Sequence, residues 1–466
     1  MSRDPRAIAL EQGLLPTTLV EGEVVRRPMS ERLAHHHVPG ISVAVIENDE
    51  IAWAEGFGVQ QVGTDDKVNA GTIFAGASIS KPVAAVVALK LVEQGLLDLD
   101  RDVNETLQSW KVPENEFTRQ SPVTLRWLLS HRAGTTVHGF GGAEAFPTIL
   151  ETLEGLAPCK NEPVRVNKVP GGSPRYSGGG ITIAQLMMEE AAGKPFAELA
   201  RELVFGPLGM TRSSFTTPLA GDLLRFASRG HNEDGSLIKG GYSWCPQQAA
   251  GGIHTTASDY ARFIIACRAA YQGKPGAILG PEMSRQMMDR NGATDQGLGW
   301  RILGDGESQR FEHGGSCQGY QCETMGYLHR GDGVVVLTNG VGGLLFYWEV
   351  INTVADVHGW RDYLQPLKQP QPMSAAEMDR YVGTYAFIDG VEGAQLKVWA
   401  DGDRLMSEIA GMRGGPRQTR IDQNGRLFNG NSPYETAVEY GADGRAETLT
   451  VLEGGSTVIL RAKRVS

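Results

Sequence analysis

The chain has 466 residues, more than one small core can use, so two or three structural units are expected. Its composition is that of a globular protein, 41% hydrophobic and 21% charged, and its formal net charge of -10 argues against a nucleic-acid binder. No run of about 18 uncharged apolar residues offers a membrane span. The N-terminal Met1-Ser2-Arg3-Asp4-Pro5-Arg6-Ala7 lacks the apolar core of a signal peptide, so a cytoplasmic location is expected. The cysteines (Cys159, Cys245, Cys267, Cys317 and Cys322) are odd in number and have no C-x-x-C spacing, which suits reduced structural thiols. His35-His36-His37 has no carboxylate or cysteine at ligand spacing and reads as a surface helix end, so no metal is expected. No phosphate-binding loop is present, and no cofactor is expected.

In chain order, Ile41 to Glu47 and Ile51 to Phe57 read as two strands joined by a turn at Asn48-Asp49-Glu50. A helix is expected over Ala77 to Leu97, a short one over Val123 to Ser130, and another over Ile181 to Ala192, closed by Gly193. Thr256-Ala257-Ser258-Asp259 reads as a capping box opening a helix over Tyr260 to Tyr271. Late strands are expected over Gly299 to Leu303, Ser308 to Glu312, Thr324 to Leu328 and Gly333 to Asn339, then a helix over Leu344 to Val357. Helices between early and late strands do not form the repeated βαβ pattern; they imply an α+β fold, an antiparallel sheet flanked by helices with a helical subdomain. Prolines cluster near 363–374, which reads as a linker. Beyond it, hairpin signals at Asp401-Gly402, Asn424-Gly425, Asp443-Gly444 and Gly454-Gly455 imply an all-β barrel or sandwich of roughly eight short strands. The expected domains are 1–362 and 375–466.

Ser78-Ile79-Ser80-Lys81 stands at the head of the first long helical pattern. Residues three apart share a helix face, with about 5–6 Å between Cβ atoms, so Lys81 can reach the Ser78 hydroxyl. A serine needs a base to become a nucleophile, and a lysine can serve if its pKa of about 10.4 falls toward 7. Pro82 is tolerated in the first turn, where its missing N–H has no intrahelical use. Ser236-Leu237-Ile238-Lys239 has the same spacing, but Asp234-Gly235 before it and Gly240-Gly241 after it mark a hairpin. A thiol nucleophile at Cys317 is disfavoured for lack of a helix N-terminus to lower its pKa.

Residues 30–358 resemble the serine β-lactamase and penicillin-binding-protein superfamily, in its class C-like branch of esterases, D-aminopeptidases and DD-peptidases. The resemblance rests on Phe74 to Lys81, Gly95 to Asp100, Leu128 to Gly134, Tyr176-Ser177-Gly178-Gly179-Gly180, Phe205 to Met210, Ala250 to Thr256 and His313-Gly314-Gly315. The C-terminal part resembles the lipocalin-like β domains of some relatives. The resemblance implies Ser78 as nucleophile and Lys81 and Tyr176 as the groups that move its proton. His313-Gly314-Gly315 would line the pocket, with the Ser78 and Ser316 N–H groups as oxyanion hole. His131 is expected to be structural. Gly178 stands where the family pattern has asparagine, which implies a wider pocket. His313, if neutral, implies weaker hold on a carboxylate than lysine would give. Phe140, in a flexible loop over 134–142, joins Trp244, Trp300 and Tyr320 as candidate apolar walls.

The expected activity is hydrolysis of an ester or amide bond in a small-molecule or peptide substrate through a Ser78 acyl-enzyme. Acyl transfer, β-lactamase or DD-peptidase activity, and a non-catalytic penicillin sensor stay open as alternatives. So does assembly into a homo-oligomer.

Overall fold

The computed structural model describes residues 3–141, 145–292, 294–388, 394–409, 415–453 and 457–466. They fall into two compact units, one of Met1–Glu11 with Met29–Tyr347, the other of Gln12–Pro28 with Trp348–Ser466.

The first unit contains, in order, β1 (Gly40–Glu47), β2 (Glu50–Gly58), β3 (Phe74–Ala77), α1 (Ser80–Glu93), α2 (Gly178–Ala192), β4 (Ile253–Thr255) and α3 (Ala257–Tyr271). After these come β5 (Arg301–Leu303), β6 (Arg310–Cys317), β7 (Tyr320–Tyr327) and β8 (Gly333–Thr338). The early and late strands meet in one six-stranded antiparallel sheet, ordered β2-β1-β8-β7-β6-β5. β3 and β4 form a separate two-stranded ladder. The apolar spacing of α1 is not one-sided: nearly every residue from Ser80 to Leu91 is buried, so it is a central helix, with α2 and α3 among its core neighbours. This is the α+β, antiparallel-sheet architecture expected.

Several element bounds differ from expectation. The strand expected over Ser308 to Glu312 is β6, which starts at Arg310, runs on through His313-Gly314-Gly315 to Cys317, and pairs with β7 through Gly315↔Cys322 and Cys317↔Tyr320. The helix expected from Ile181 starts earlier: Gly178-Gly179-Gly180 forms the first turn of α2 under the Ser177 cap. Only half of the expected capping box forms at Thr256. Thr256 Oγ1 accepts from Asp259 N at 3.1 Å, but Asp259 Oδ2 accepts from Arg212 N and Ser213 Oγ at 2.8 and 3.0 Å. Ser236 is exposed on a turn bounded by the His231↔Leu237 bridge, and Lys239 is exposed on the turn that follows, as the hairpin signal requires.

In the second unit, eight antiparallel strands from Gly383–Phe387 to Thr457–Arg464 close into a barrel. The first strand pairs with the last, and Arg404–Ile409 closes onto Arg417–Asp422. Val398, Leu405, Leu427, Leu449 and the fully buried Tyr385 fill its interior. The Tyr385 hydroxyl donates to Tyr381 O at 2.6 Å.

The border at Tyr347 and Trp348 differs from the one expected near 362, and residues 12–28 join this unit rather than the first. The reason is backbone pairing and hydroxyl bonding that no local pattern announces. Leu14 bridges Arg27, Val20 bridges Lys368, and Thr18 Oγ1 donates to Ser432 O at 2.7 Å. Nor is 363–374 a free linker: Pro370–Gln371 is a strand on Arg417–Asp422, and Lys368 is buried on Asp422 and Glu435. Among the described residues no helix is long and apolar enough to cross a membrane.

Candidate active site

Ser78, the expected nucleophile, lies at a sharp change of direction. β3 ends at Ala77, whose φ of 48° lies in the left-handed region that a non-glycine residue enters at a cost of about 1–3 kcal/mol. Ser78 and Ile79 form a turn, and α1 starts at Ser80, later than the expected Ala77. Neighbours hold the turn on several sides. Ser80 Oγ donates to Ala77 O at 2.6 Å and accepts from Ile253 N at 2.9 Å. Tyr260 Oη donates to Ile79 O at 2.9 Å. Cys322 Sγ lies 3.2 Å from Gly76 O.

Lys81 reaches back one turn, as the spacing requires. Its Nζ donates to Ser78 Oγ at 2.9 Å and to Ala250 O at 2.6 Å, and the side chain is 2% exposed. The amine also lies 4.7 Å from the centroid of the Tyr176 ring. Among the described residues it makes no ion pair with a carboxylate. The Ala250 carbonyl was not singled out from sequence; a backbone acceptor leaves no mark in residue type.

Tyr176 immediately precedes the cap of α2. Ser177 Oγ accepts from Gly180 N at 2.9 Å and donates to Thr136 O at 2.6 Å. Ser177 N donates to His131 Nδ1 at 3.2 Å, so the ring proton of His131 sits on Nε2, which is buried with no hydrogen-bond partner. Burial, then the Lys81 charge, holds His131 well below the usual histidine range, and it is neutral. Three imidazoles surround the tyrosine: ring centroids lie 4.4 Å away for His131, 5.0 Å for His138 and 6.1 Å for His313. His138 carries no sequence signal, being a lone histidine among glycines.

His313 lies on β6. Its Nδ1–H donates to Gly314 O at 2.6 Å, which leaves Nε2 as an acceptor. Burial, then the Lys81 charge, pushes its pKa down to about 3. Gly315 is needed for close approach: a Cβ there would lie 2.1 Å from Gly76 O and 2.5 Å from Cys322 Sγ. Without a side chain at 315, β6 lies against β3, next to the Ser78 turn. A Cβ at Gly314 would lie 2.7 Å from Glu323 Oε2. Ser316 is exposed two residues on, opposite Gln321. Burial pushes the Cys245 and Cys317 thiols up to about 11 and about 12, opposite to what a thiol nucleophile requires.

Several expected pocket features are corrected. Trp300 is 1% exposed and packs between Phe263 and Phe311. Tyr320 is 2% exposed, with its hydroxyl on Ser228 O at 2.7 Å. Neither ring has surface to offer a substrate; both are core. Trp244 is half-buried beside Tyr242 and His254. The absent side chain at Gly178 does not widen the pocket, because a Cβ there would meet Phe140 Cε2 at 3.1 Å and His138 O at 3.3 Å. The loop from Gly134 to His138 is tied down, not loose: Gly178 N donates to His138 O at 2.9 Å, Gly179 N to Val137 O at 3.1 Å, and Arg175 Nε to Thr135 O at 3.0 Å. Gly142, at the end of the expected loop, lies outside the described residues.

A buried lysine on a serine at a strand-to-helix turn, with this sheet behind it, defines a class of protein, the serine β-lactamase and penicillin-binding-protein superfamily. The chain belongs to the Beta-lactamase family, whose model matches residues 25–347. It is 26% identical over 376 residues to penicillin-binding protein 4 of Amycolatopsis lactamdurans, covering 75% of this chain and 93% of that protein. It is 26% identical over 230 residues to esterase EstB of Burkholderia gladioli, covering 46% and 55%. Among solved structures, the octameric penicillin-binding protein homologue from Pyrococcus abyssi is similar with a TM-score of 0.57 at 20% identity, over 93% of this chain and 98% of that one. The D-amino acid amidase from Ochrobactrum anthropi SV3 is similar with a TM-score of 0.57 at 21% identity, over 70% and 96%. The family is one of serine hydrolases, and these two structural likenesses speak to the fold alone.

Proposed function

We propose that the protein is a serine hydrolase that cleaves an ester or amide bond through an acyl-enzyme on Ser78. The observation that carries this reading is the 2.9 Å contact of Lys81 Nζ with Ser78 Oγ, beside the Tyr176 ring. As Oγ attacks the carbonyl carbon, the single Ser78 proton passes to one base of the Lys81–Tyr176 pair, which must be Lys81 as the neutral amine or Tyr176 as the phenolate. The N–H groups of Ser78 and Ser316 receive the developing oxyanion, a contribution of several kcal/mol in such sites. The proton passes to the leaving alcohol or amine, and water then releases the acyl group. A neutral His313 offers an acceptor nitrogen, not a cation, to whatever part of the substrate it meets. An esterase among the similar proteins supports an ester substrate.

The test is p-nitrophenol release from a short-chain p-nitrophenyl ester, followed from milliseconds. A burst of one equivalent followed by turnover, both absent in Ser78→Ala, is expected. Undiminished turnover by Ser78→Ala would sink the mechanism. A burst with no turnover would point instead to a protein that acylates once and stalls.

A further inference from the structure

The loop Thr136 to Phe140 stands beside Tyr176 as a wall. Three bonds from the start of α2 pin this loop: Ser177 Oγ to Thr136 O, Gly179 N to Val137 O, and Gly178 N to His138 O. Val137 takes a φ of 62°, a left-handed conformation the pinning must sustain. With Gly178 bare, the loop closes onto the helix start, and the Phe140 ring edge comes within 3.1 Å of where a Cβ would stand. Phe140 packs against the main core on one side and stays partly exposed on the other. The His138 ring completes the wall 5.0 Å from the Tyr176 ring.

This wall presents an apolar ring, Phe140, and an uncharged imidazole, His138. Partial burial of the His138 ring, then the Lys81 charge, lowers its pKa, and His131 and His313 are neutral for similar reasons. None of the three imidazoles around Tyr176 offers a cation to a substrate carboxylate at neutral pH.

Resting on the hydrolase reading above, we propose that Phe140 and His138 form the seat of the acyl group and make the site selective for uncharged substrates with an apolar acyl chain. One methylene in an apolar pocket is worth about 1–3 kcal/mol, so an acyl chain that reaches Phe140 gains about tenfold or more in kcat/KM over one that does not. A carboxylate at the end of that chain would lose its water against the ring edge without a partner.

The test uses the full chain and p-nitrophenyl esters of matched length: acetate, butyrate, valerate and hemiglutarate. The wild-type protein is expected to prefer butyrate over acetate, and valerate over hemiglutarate, each by about tenfold in kcat/KM. Phe140→Ala should lower the butyrate-to-acetate ratio about tenfold, and Phe140→Leu should keep most of it. Gly178→Ala, which pushes on the ring from behind, should also lower that ratio. Thermal melts of each variant separate a lost seat from a lost fold. An unchanged ratio in folded Phe140→Ala, or equal turnover of valerate and hemiglutarate, overturns the proposal while leaving the hydrolase reading standing. Turnover that survives in Ser78→Ala overturns the hydrolase reading itself.

Discussion

His313 and Gly315 show how much single positions carry. His313 is held near pH 3 and the buried His254 near pH 4, burial being the leading cause in both, against an unfolded value near 6.5. The unfolded chain therefore binds more protons between those limits. The stabilisation is complete above about pH 6.5 and is lost as pH falls through the folded-state values. Thermal melts from pH 8 to pH 4 should show Tm falling below pH 6.5, with a shallower fall in His313→Asn; a flat profile would contradict the assignment. At Gly315 an added Cβ would stand 2.1 Å from a backbone oxygen of β3, whereas at Gly314 it meets the movable end of Glu323. Gly315→Ala is expected to cost about 1–3 kcal/mol and to lower ester turnover at least tenfold, with Gly314→Ala milder in both. Melts and steady-state rates on the pair check this. The Ser78 and Lys81 pairing was legible in sequence because it is local, one helical turn. The role of Gly315 was not, because its neighbour Gly76 is remote in the chain.

Among the elements, α2 links the fold to the site. Its cap, Ser177, binds its own helix through Gly180 N and the loop through Thr136 O, so one hydroxyl fixes both Tyr176 and the wall beyond it. Ser177→Ala should lower stability by about 1–2 kcal/mol, as loss of a cap does. It should also raise KM for longer acyl chains more than for acetate, since the loop loses an anchor. Chemical denaturation and ester kinetics measure the two effects; an unchanged melt would show that the hydroxyl bonds contribute little. The body of α2 could be read from its apolar spacing and Gly193. Its start at Gly178 could not, because the three glycines before Ile181 carry no apolar spacing. The bareness of Gly178 looks like empty space in sequence, and in the structure Phe140 fills it.

At the level of the whole chain, the second unit depends on residues from both ends of the sequence. Lys368, 5% exposed, binds Asp422 at 3.0 Å and also Glu435, and its backbone pairs with the segment around Val20. Lys368→Met leaves two carboxylates without their cation, a change that typically costs about 3–5 kcal/mol when a buried pair is broken. Calorimetry should show the unfolding of this unit shifted to lower temperature. No shift would mean that the ion cluster is solvated and contributes little.

The Ser-x-x-Lys spacing, the alternation of the strands, the hairpin dipeptides of the barrel and the turn that disqualifies Ser236 were all readable in the linear order of residues, because each depends on neighbours within one turn or one hairpin. Other features required the folded chain. They include the Ala250 carbonyl on Lys81, the three neutral imidazoles around Tyr176, the burial of Trp300 and Tyr320, and the membership of residues 12–28 in the second unit. Each is a contact between segments far apart in sequence. Burial, desolvation and close backbone approach arise only once those segments are packed.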